Sequence, residues 1–320
     1  MTIALLFSPQ GSHSVGMGRD LAEASAAARA VFAAADAALG WSVSGTCWDG
    51  PQERLDDTRQ TQPCLLTTSV AALRALQERA PLEPAVVAGH SVGEYAALVA
   101  AGVLELDAAL RLVARRAELM AEVEVDGGMS AVIGFDRPAV QSVVDAVGRP
   151  TELVVANDNA PGQIVISGLR EPLQAAEELL RAAGARRIVR LPVSGPFHSP
   201  LMAEVAEALA EAFEAEPWSD ARIPIMSNVS GEPITDAGRI RALLAEQVRS
   251  PVEWSACVER MAQDGVDLAI ECGSGAALVA MVKRIAPGIR GMAVADRIGL
   301  EAAAALLSGQ AVGVPAGAGR

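Results

Sequence analysis

Apolar positions along the chain fall into two patterns. Short unbroken runs, at residues 3–7 and 85–88, leave no position for solvent and read as strands buried on both faces. Longer stretches carry apolar residues at helical spacing, most clearly over about 107–124. The first strand is followed by a turn rich in glycine and serine (Gly11, Ser12, Ser14, Gly16, Gly18), then by an alanine-rich helix reaching about Ala38. Residues 40–60, with Trp41, Trp48, Gly50 and Pro51, read as irregular. A helix is predicted from about Pro63 to Arg79, broken by Pro81 and Pro84, and another over about 93–101.

The rhythm changes at Asp126-Gly127-Gly128. The spacing predicts strand 129–133, helix 137–147, strand 153–156, strand 163–167, helix 171–183 and strand 186–191. That β-α-β-β-α-β order is the ferredoxin-like unit. Pro138 starts its first helix, Pro161-Gly162 turns its central hairpin and Gly184 ends its second helix. After Pro192 the larger pattern resumes: helix 199–215, strand 223–226, helices 239–249 and 254–264, strand 267–271, helix 275–285, strand 291–294 and a last helix near 299–307. Short apolar strands alternating with helices imply a mostly parallel sheet covered on both faces. The fold class is therefore α/β, with a large subdomain of residues 1–125 and 197–320 and a small inserted subdomain of 126–196. The tail from Ser308 is expected to fray.

Charge narrows the function. A net charge of -13 argues against a general nucleic-acid binder, which would carry a basic stripe. Lys283 is the single lysine, so basicity is arginine, the better side chain for gripping a carboxylate. Cys47, Cys64, Cys257 and Cys272 are scattered, which suggests reduced thiols in a cytoplasmic protein rather than disulfides or a metal site. No secretory leader and no membrane span are expected. Asn228-Val229-Ser230 matches a glycosylation acceptor, which has no meaning without a secretory route.

The most informative motif is Gly89-His90-Ser91-Val92-Gly93, placed where a strand turns into a helix. This is the setting of a nucleophile elbow, with Ser91 as nucleophile and the Val92 amide at the helix start as an oxyanion donor. A plain glycine-rich turn is the alternative. The base for a serine is normally histidine, and the chain has three. His90 adjoins Ser91 and should point away from it, in a structural role; His13 and His198 both remain open on spacing alone. Arg116, in Arg115-Arg116, is either part of a solvated helix face or a carboxylate clamp.

Several local sequences together resemble malonyl-CoA:acyl carrier protein transacylases and the related acyltransferase domains of polyketide synthases. They are Gln10-Gly11-Ser12, Gly89 to Glu94, Arg116 with Met120, Asn159-Ala160-Pro161-Gly162-Gln163, Gly195 to His198 with Leu201 and Met202, and Gln247 with Pro251, Val252 and Trp254. The resemblance implies an α/β-hydrolase-like body with an inserted ferredoxin-like subdomain. It implies Ser91 as nucleophile, His198 as base, the Gln10 and Val92 amides as oxyanion hole, and Arg116 as the malonyl carboxylate ligand. It further implies the Gln247 carbonyl as support for His198, Asn159 along the substrate path, and Phe197 as a ring crowding α-branched acyl groups. Malonyl-CoA and a holo acyl carrier protein would be the partners, with no bound cofactor and a monomeric chain. An acidic carrier would need a local basic patch, for which Arg186, Arg187, Arg190, Lys283 and Arg284 are candidates. The chain departs from the family pattern in Ser8-Pro9 and in His13, which replaces a glutamine. Fatty-acid and polyketide synthesis both remain open as pathways. A thioester hydrolase and a non-catalytic docking protein are the competing readings.

Overall fold

Alternation along the first strand, β1 (Ile3–Phe7), sends Ile3, Leu5 and Phe7 into one apolar cluster and Ala4 and Leu6 into another, and all five residues are buried. Such a strand needs cover on both faces, and the computed structural model, which describes residues 1–309, supplies it. The remaining strands are β2 (Val86–Gly89), β3 (Gly127–Ile133), β4 (Leu153–Ala160), β5 (Gln163–Leu169), β6 (Arg187–Arg190), β7 (Ile225–Met226), β8 (Pro233–Ile234), β9 (Leu268–Cys272) and β10 (Arg290–Val294). The larger sheet has the order β10-β9-β1-β2-β7-β8 and is parallel except for the edge strand β8.

Register places the site. Phe7 stands opposite both Gly89 and Cys272, so β1, β2 and β9 end level with one another. The loops leaving those three strands therefore meet at one carboxyl edge, where open α/β sheets bind ligands.

The smaller sheet is wholly antiparallel, in the order β4-β5-β3-β6. Helices Arg137–Val147 and Arg170–Ala182 close its own apolar cluster, built on Val132, Val140, Ile166, Leu173 and Leu180. Order and connectivity are those of the ferredoxin-like unit the sequence predicts. Strand β4 is joined to the body: the Val252 amide donates to the Ala156 carbonyl (2.8 Å) and the Asp158 amide to the Val252 carbonyl (3.0 Å). Arg137 reaches Glu253 across the same seam (2.8 Å).

Three expectations change. Residues 40–60 are not irregular: helices Val43–Asp49 and Gln52–Leu55 occupy them. The Ser42 hydroxyl caps the first, Trp48 packs on Phe32 with ring centroids 5.0 Å apart, and Gly50-Pro51 form only the short break between the two helices. The helix placed from Pro63 begins at Thr58, because the Asp57 side chain caps it by accepting from the Arg59 amide (2.9 Å); Pro63 lies inside it. The alanine-rich helix divides into Arg19–Ala24 and Ala26–Leu39 at Ser25, whose hydroxyl caps the second segment. The tail read as frayed lies, beyond residue 309, outside the described residues. No helix of the described residues is long and apolar enough to cross a membrane.

Candidate active site

Steric need explains the elbow after β2. A side chain at position 89 would put its Cβ 1.9 Å from the Gly93 carbonyl carbon, and one at 93 would fall 2.2 Å from the Phe7 carbonyl oxygen, so both must be glycine. Between them Ser91 is held at φ 53°, a left-handed conformation that a serine adopts only when its surroundings enforce it. Asn228, fully buried after β7, does the enforcing. Its Oδ1 accepts from the Ser91 amide (2.7 Å) and its Nδ2 donates to the Gly89 carbonyl (2.7 Å).

His198 shares the left-handed geometry, at φ 57°, and its amide donates to the Val248 carbonyl (2.9 Å). Its Nε2 lies 2.8 Å from Ser91 Oγ and its Nδ1 lies 2.9 Å from the Gln247 carbonyl oxygen. A carbonyl can only accept, so Nδ1 carries the proton and Nε2 is free to take the serine proton. Burial first, then the Arg116 cation, push the pKa of His198 down to about 3. The other histidines stand elsewhere. His90 turns from Ser91 to Asn159 Oδ1 (2.7 Å) and against the Trp254 ring, while His13 pairs with Asp56 (3.0 Å) and accepts from the Gly11 amide (3.3 Å). Of the two candidates that spacing left open, His198 is therefore the one that touches the serine.

Arg116 is not on a solvated face; it is 1% exposed. Its Nη2 donates to Ser91 Oγ (3.0 Å) and to Gln247 Oε1 (3.1 Å), and its Nη1 to Gln62 Oε1 (2.6 Å). Its Nε has no acceptor. Gln247 is a hub: besides its carbonyl bond to His198, its Nε2 donates to the Ser91 carbonyl (3.0 Å) and to Glu94 Oε2 (2.6 Å). Burial raises the pKa of Glu94 to about 7.

A cavity of about 230 Å³ opens over Ser91 and His198, lined on the insert side by Met129, Asn157, Asn159 and Val165 and on the body side by Gln10, Met120 and Phe197. Among the described residues, neither the Gln10 amide nor the Val92 amide has an acceptor. With the departures Ser8-Pro9 the loop is tied on both sides of Gln10: Ser8 Oγ donates to Glu271 Oε1 (3.1 Å), and Ser274 Oγ to the Ser12 carbonyl (2.7 Å). The basic candidates lie apart from the cavity and are exposed. Arg190 is paired with Glu177 (3.2 Å), and Arg284 reaches from the body to Gln163 Oε1 (2.7 Å) and the Pro161 carbonyl of the insert.

The model of the acyl transferase domain matches residues 4–302. The chain belongs to that family. It is 42% identical over 297 residues to the malonyl CoA-acyl carrier protein transacylase of Bacillus subtilis, covering 92% of this chain and 93% of that protein. The acyl-carrier-protein S-malonyltransferase of Burkholderia pseudomallei superposes with a TM-score of 0.92 at 38% identity, over 95% of this chain and 99% of that one. A malonyl-transacylase in complex with its type II PKS acyl carrier protein gives a TM-score of 0.91 at 38% identity, over 95% and 99% of the two chains.

The chain is thus an acyltransferase, with the α/β-hydrolase-like body and ferredoxin-like insert expected of it. Four contributions to its site were invisible in the motifs: Gln62, Glu94, Asn228 and the side chain of Gln247. Glu94 closes the elbow motif, but nothing local marks it as a buried partner of a glutamine. Asn228 sits in the tripeptide that reads only as a glycosylation acceptor, and its partner lies 137 residues away.

Proposed function

We propose that this acyltransferase carries a malonyl group from malonyl-CoA to the phosphopantetheine thiol of an acyl carrier protein through an O-malonyl-serine. The observation that carries the reading is the Arg116 cation, buried beside the nucleophile and met only by neutral acceptors. A buried charge without an opposite charge is costly, and a carboxylate-bearing acyl group supplies the missing partner. In the first half-reaction His198 Nε2 takes the Ser91 proton as Oγ attacks the thioester carbonyl. The oxyanion forms where the Gln10 and Val92 amides point, and collapse expels coenzyme A as its thiol, protonated by His198. In the second half-reaction His198 deprotonates the carrier thiol, which attacks the ester and releases Ser91.

Asn159 and Phe197 line the acyl path, and the Phe197 ring limits branching next to the carboxylate. Residues 1–125 and 197–320 act as the catalytic body and 126–196 as the insert that closes the cavity. The carrier approaches through Arg186, Arg187, Arg190, Lys283 and Arg284; Arg187 has no ion-pair partner among the described residues. Mixing the protein with malonyl-CoA should add one malonyl group to Ser91, and Ser91→Ala should show none; an adduct that survives in Ser91→Ala rejects the intermediate. Arg187→Glu should raise the carrier-protein KM and leave adduct formation unchanged. An acyl group passed chiefly to water in the presence of holo carrier would favour the hydrolase.

A further inference from the structure

The surroundings of Arg116 contain a choice that the reaction itself does not require. Every group touching its guanidinium is neutral: Gln62 Oε1, Gln247 Oε1, Ser91 Oγ, and the Tyr95 ring, whose centroid is 5.9 Å from the guanidinium carbon. Glu94 is the nearby carboxylate; Gln247 Nε2 holds it, and it acts on Arg116 only through space, with no hydrogen bond to the guanidinium. The shortest of these contacts is Gln62, at 2.6 Å, from the helix Thr58–Arg79. Gln62 is fully buried, and its own Nε2 meets only the Met120 sulfur (3.4 Å), a weak acceptor. Its amide is thus committed at the oxygen end to Arg116 and has little other polar work.

We propose that Gln62 is a specificity-determining positioning residue: its neutral oxygen fixes the guanidinium of Arg116 beside Ser91 while leaving the positive charge unspent for a carboxylate-bearing acyl group. A glutamate of the same length would hold the arginine equally well and neutralise it. The site would then keep its shape and lose its reason to prefer an acid. Geometry and charge are separable at this one position because glutamine and glutamate are nearly isosteric. The inference rests on the reading of Arg116 as the carboxylate ligand.

The test is single-turnover acylation of Ser91 by malonyl-CoA and, separately, acetyl-CoA, in the full chain. Gln62→Glu should lower the malonyl rate by about 100-fold and leave the acetyl rate within about 3-fold, with Tm unchanged or raised because the new pair compensates a buried charge. Gln62→Met, of similar length but with no strong acceptor, should lower the malonyl rate by about 10-fold through a misplaced guanidinium, again sparing acetyl. In an Arg116→Ala background neither change should alter the malonyl-to-acetyl ratio further. Equal losses for both acyl groups in the Gln62 variants, with Arg116→Ala still selective against malonyl, overturn the role of Gln62 alone. Equal losses in Arg116→Ala overturn the carboxylate ligand and this inference with it. Should the glutamate variant not fold, the ratio in Gln62→Met decides.

Discussion

Glu271 and Arg116 are both withdrawn from solvent near the carboxyl edge of the same sheet, and their surroundings differ in kind. Three donors converge on Glu271: Ser8 Oγ on one oxygen, and the Leu278 and Val279 amides, at 2.9 and 3.0 Å, on the other. Those amides open the helix Ala277–Ile285, whose dipole favours an anion there. Burial pushes the carboxyl pKa up, and the Val279 amide, Ser8 and the Leu278 amide pull it back. Arg116 has neutral acceptors, an unpartnered Nε and no contact with a carboxylate. The first group is closed on itself and ties the Ser8 loop to β9. The second is left incomplete at the place where chemistry happens. A buried charge that the fold has satisfied marks structure; one held in place but unanswered marks a ligand.

The largest effect that could break this contrast is on Arg116. Arg116→Ala should lower malonyl transfer by about 10²–10³-fold and acetyl transfer far less, since both lose the contact with Ser91 Oγ but only malonyl loses the carboxylate's partner. It should change Tm little, because removing a buried charge that touches no carboxylate offsets the loss of its bonds to Gln62 and Gln247. Glu271→Ala should behave in reverse. Removing it orphans the Ser8 hydroxyl and two helix amides and should cost about 3 kcal/mol of stability, read as a lower denaturation midpoint. Malonyl and acetyl transfer per folded molecule should fall together. A stable Glu271→Ala, or an unfolded Arg116→Ala, would dissolve the distinction.

What the sequence disclosed follows the same division. The elbow was legible because its constraint is local: the clashes that demand Gly89 and Gly93 lie within a few residues and one neighbouring strand. The βαββαβ insert was legible because its turns carry Pro138, Pro161-Gly162 and Gly184. Gln62 and Asn228 were not, since a polar residue in an apolar helix or a short loop acquires meaning only from partners 54 and 137 residues away. Spacing could not choose between His13 and His198 for the same reason; the resemblance did, and the 2.8 Å contact with Ser91 accords with it. Residues 40–60 were misread because Gly50 and Pro51 are strong local punctuation, whereas the packing of Trp48 on Phe32 has no local signature.

The smallest expected effect sharpens the contrast through pH. Burial is the larger reason that His198 stays neutral far below its ordinary 6.5, and the Arg116 cation is the second. Acylation needs the neutral ring, so the acid limb of kcat/KM for acetyl-CoA should lie well below pH 6.5. Arg116→Ala removes the second cause and keeps the first, so the limb should move to higher pH without reaching 6.5. A limb that stays in place would mean that the cation does not act on the histidine. Stability carries the matching signs. Below pH 6.5 an unfolded chain binds a proton that folded His198 refuses, so this group's contribution falls as pH drops from 6.5 toward 3. Glu94, raised from 4.5 to about 7, runs the other way: its contribution is complete below 4.5 and is lost as pH rises toward 7. Between pH 4.5 and 6.5 the two slopes oppose each other, so replacing Glu94 with glutamine should leave the His198 slope standing alone and make stability rise more steeply with pH over that range. A slope of the same size and sign as in the parent protein would show that Glu94 does not titrate there, and that the amide of Gln247 faces a carboxylate ionised throughout.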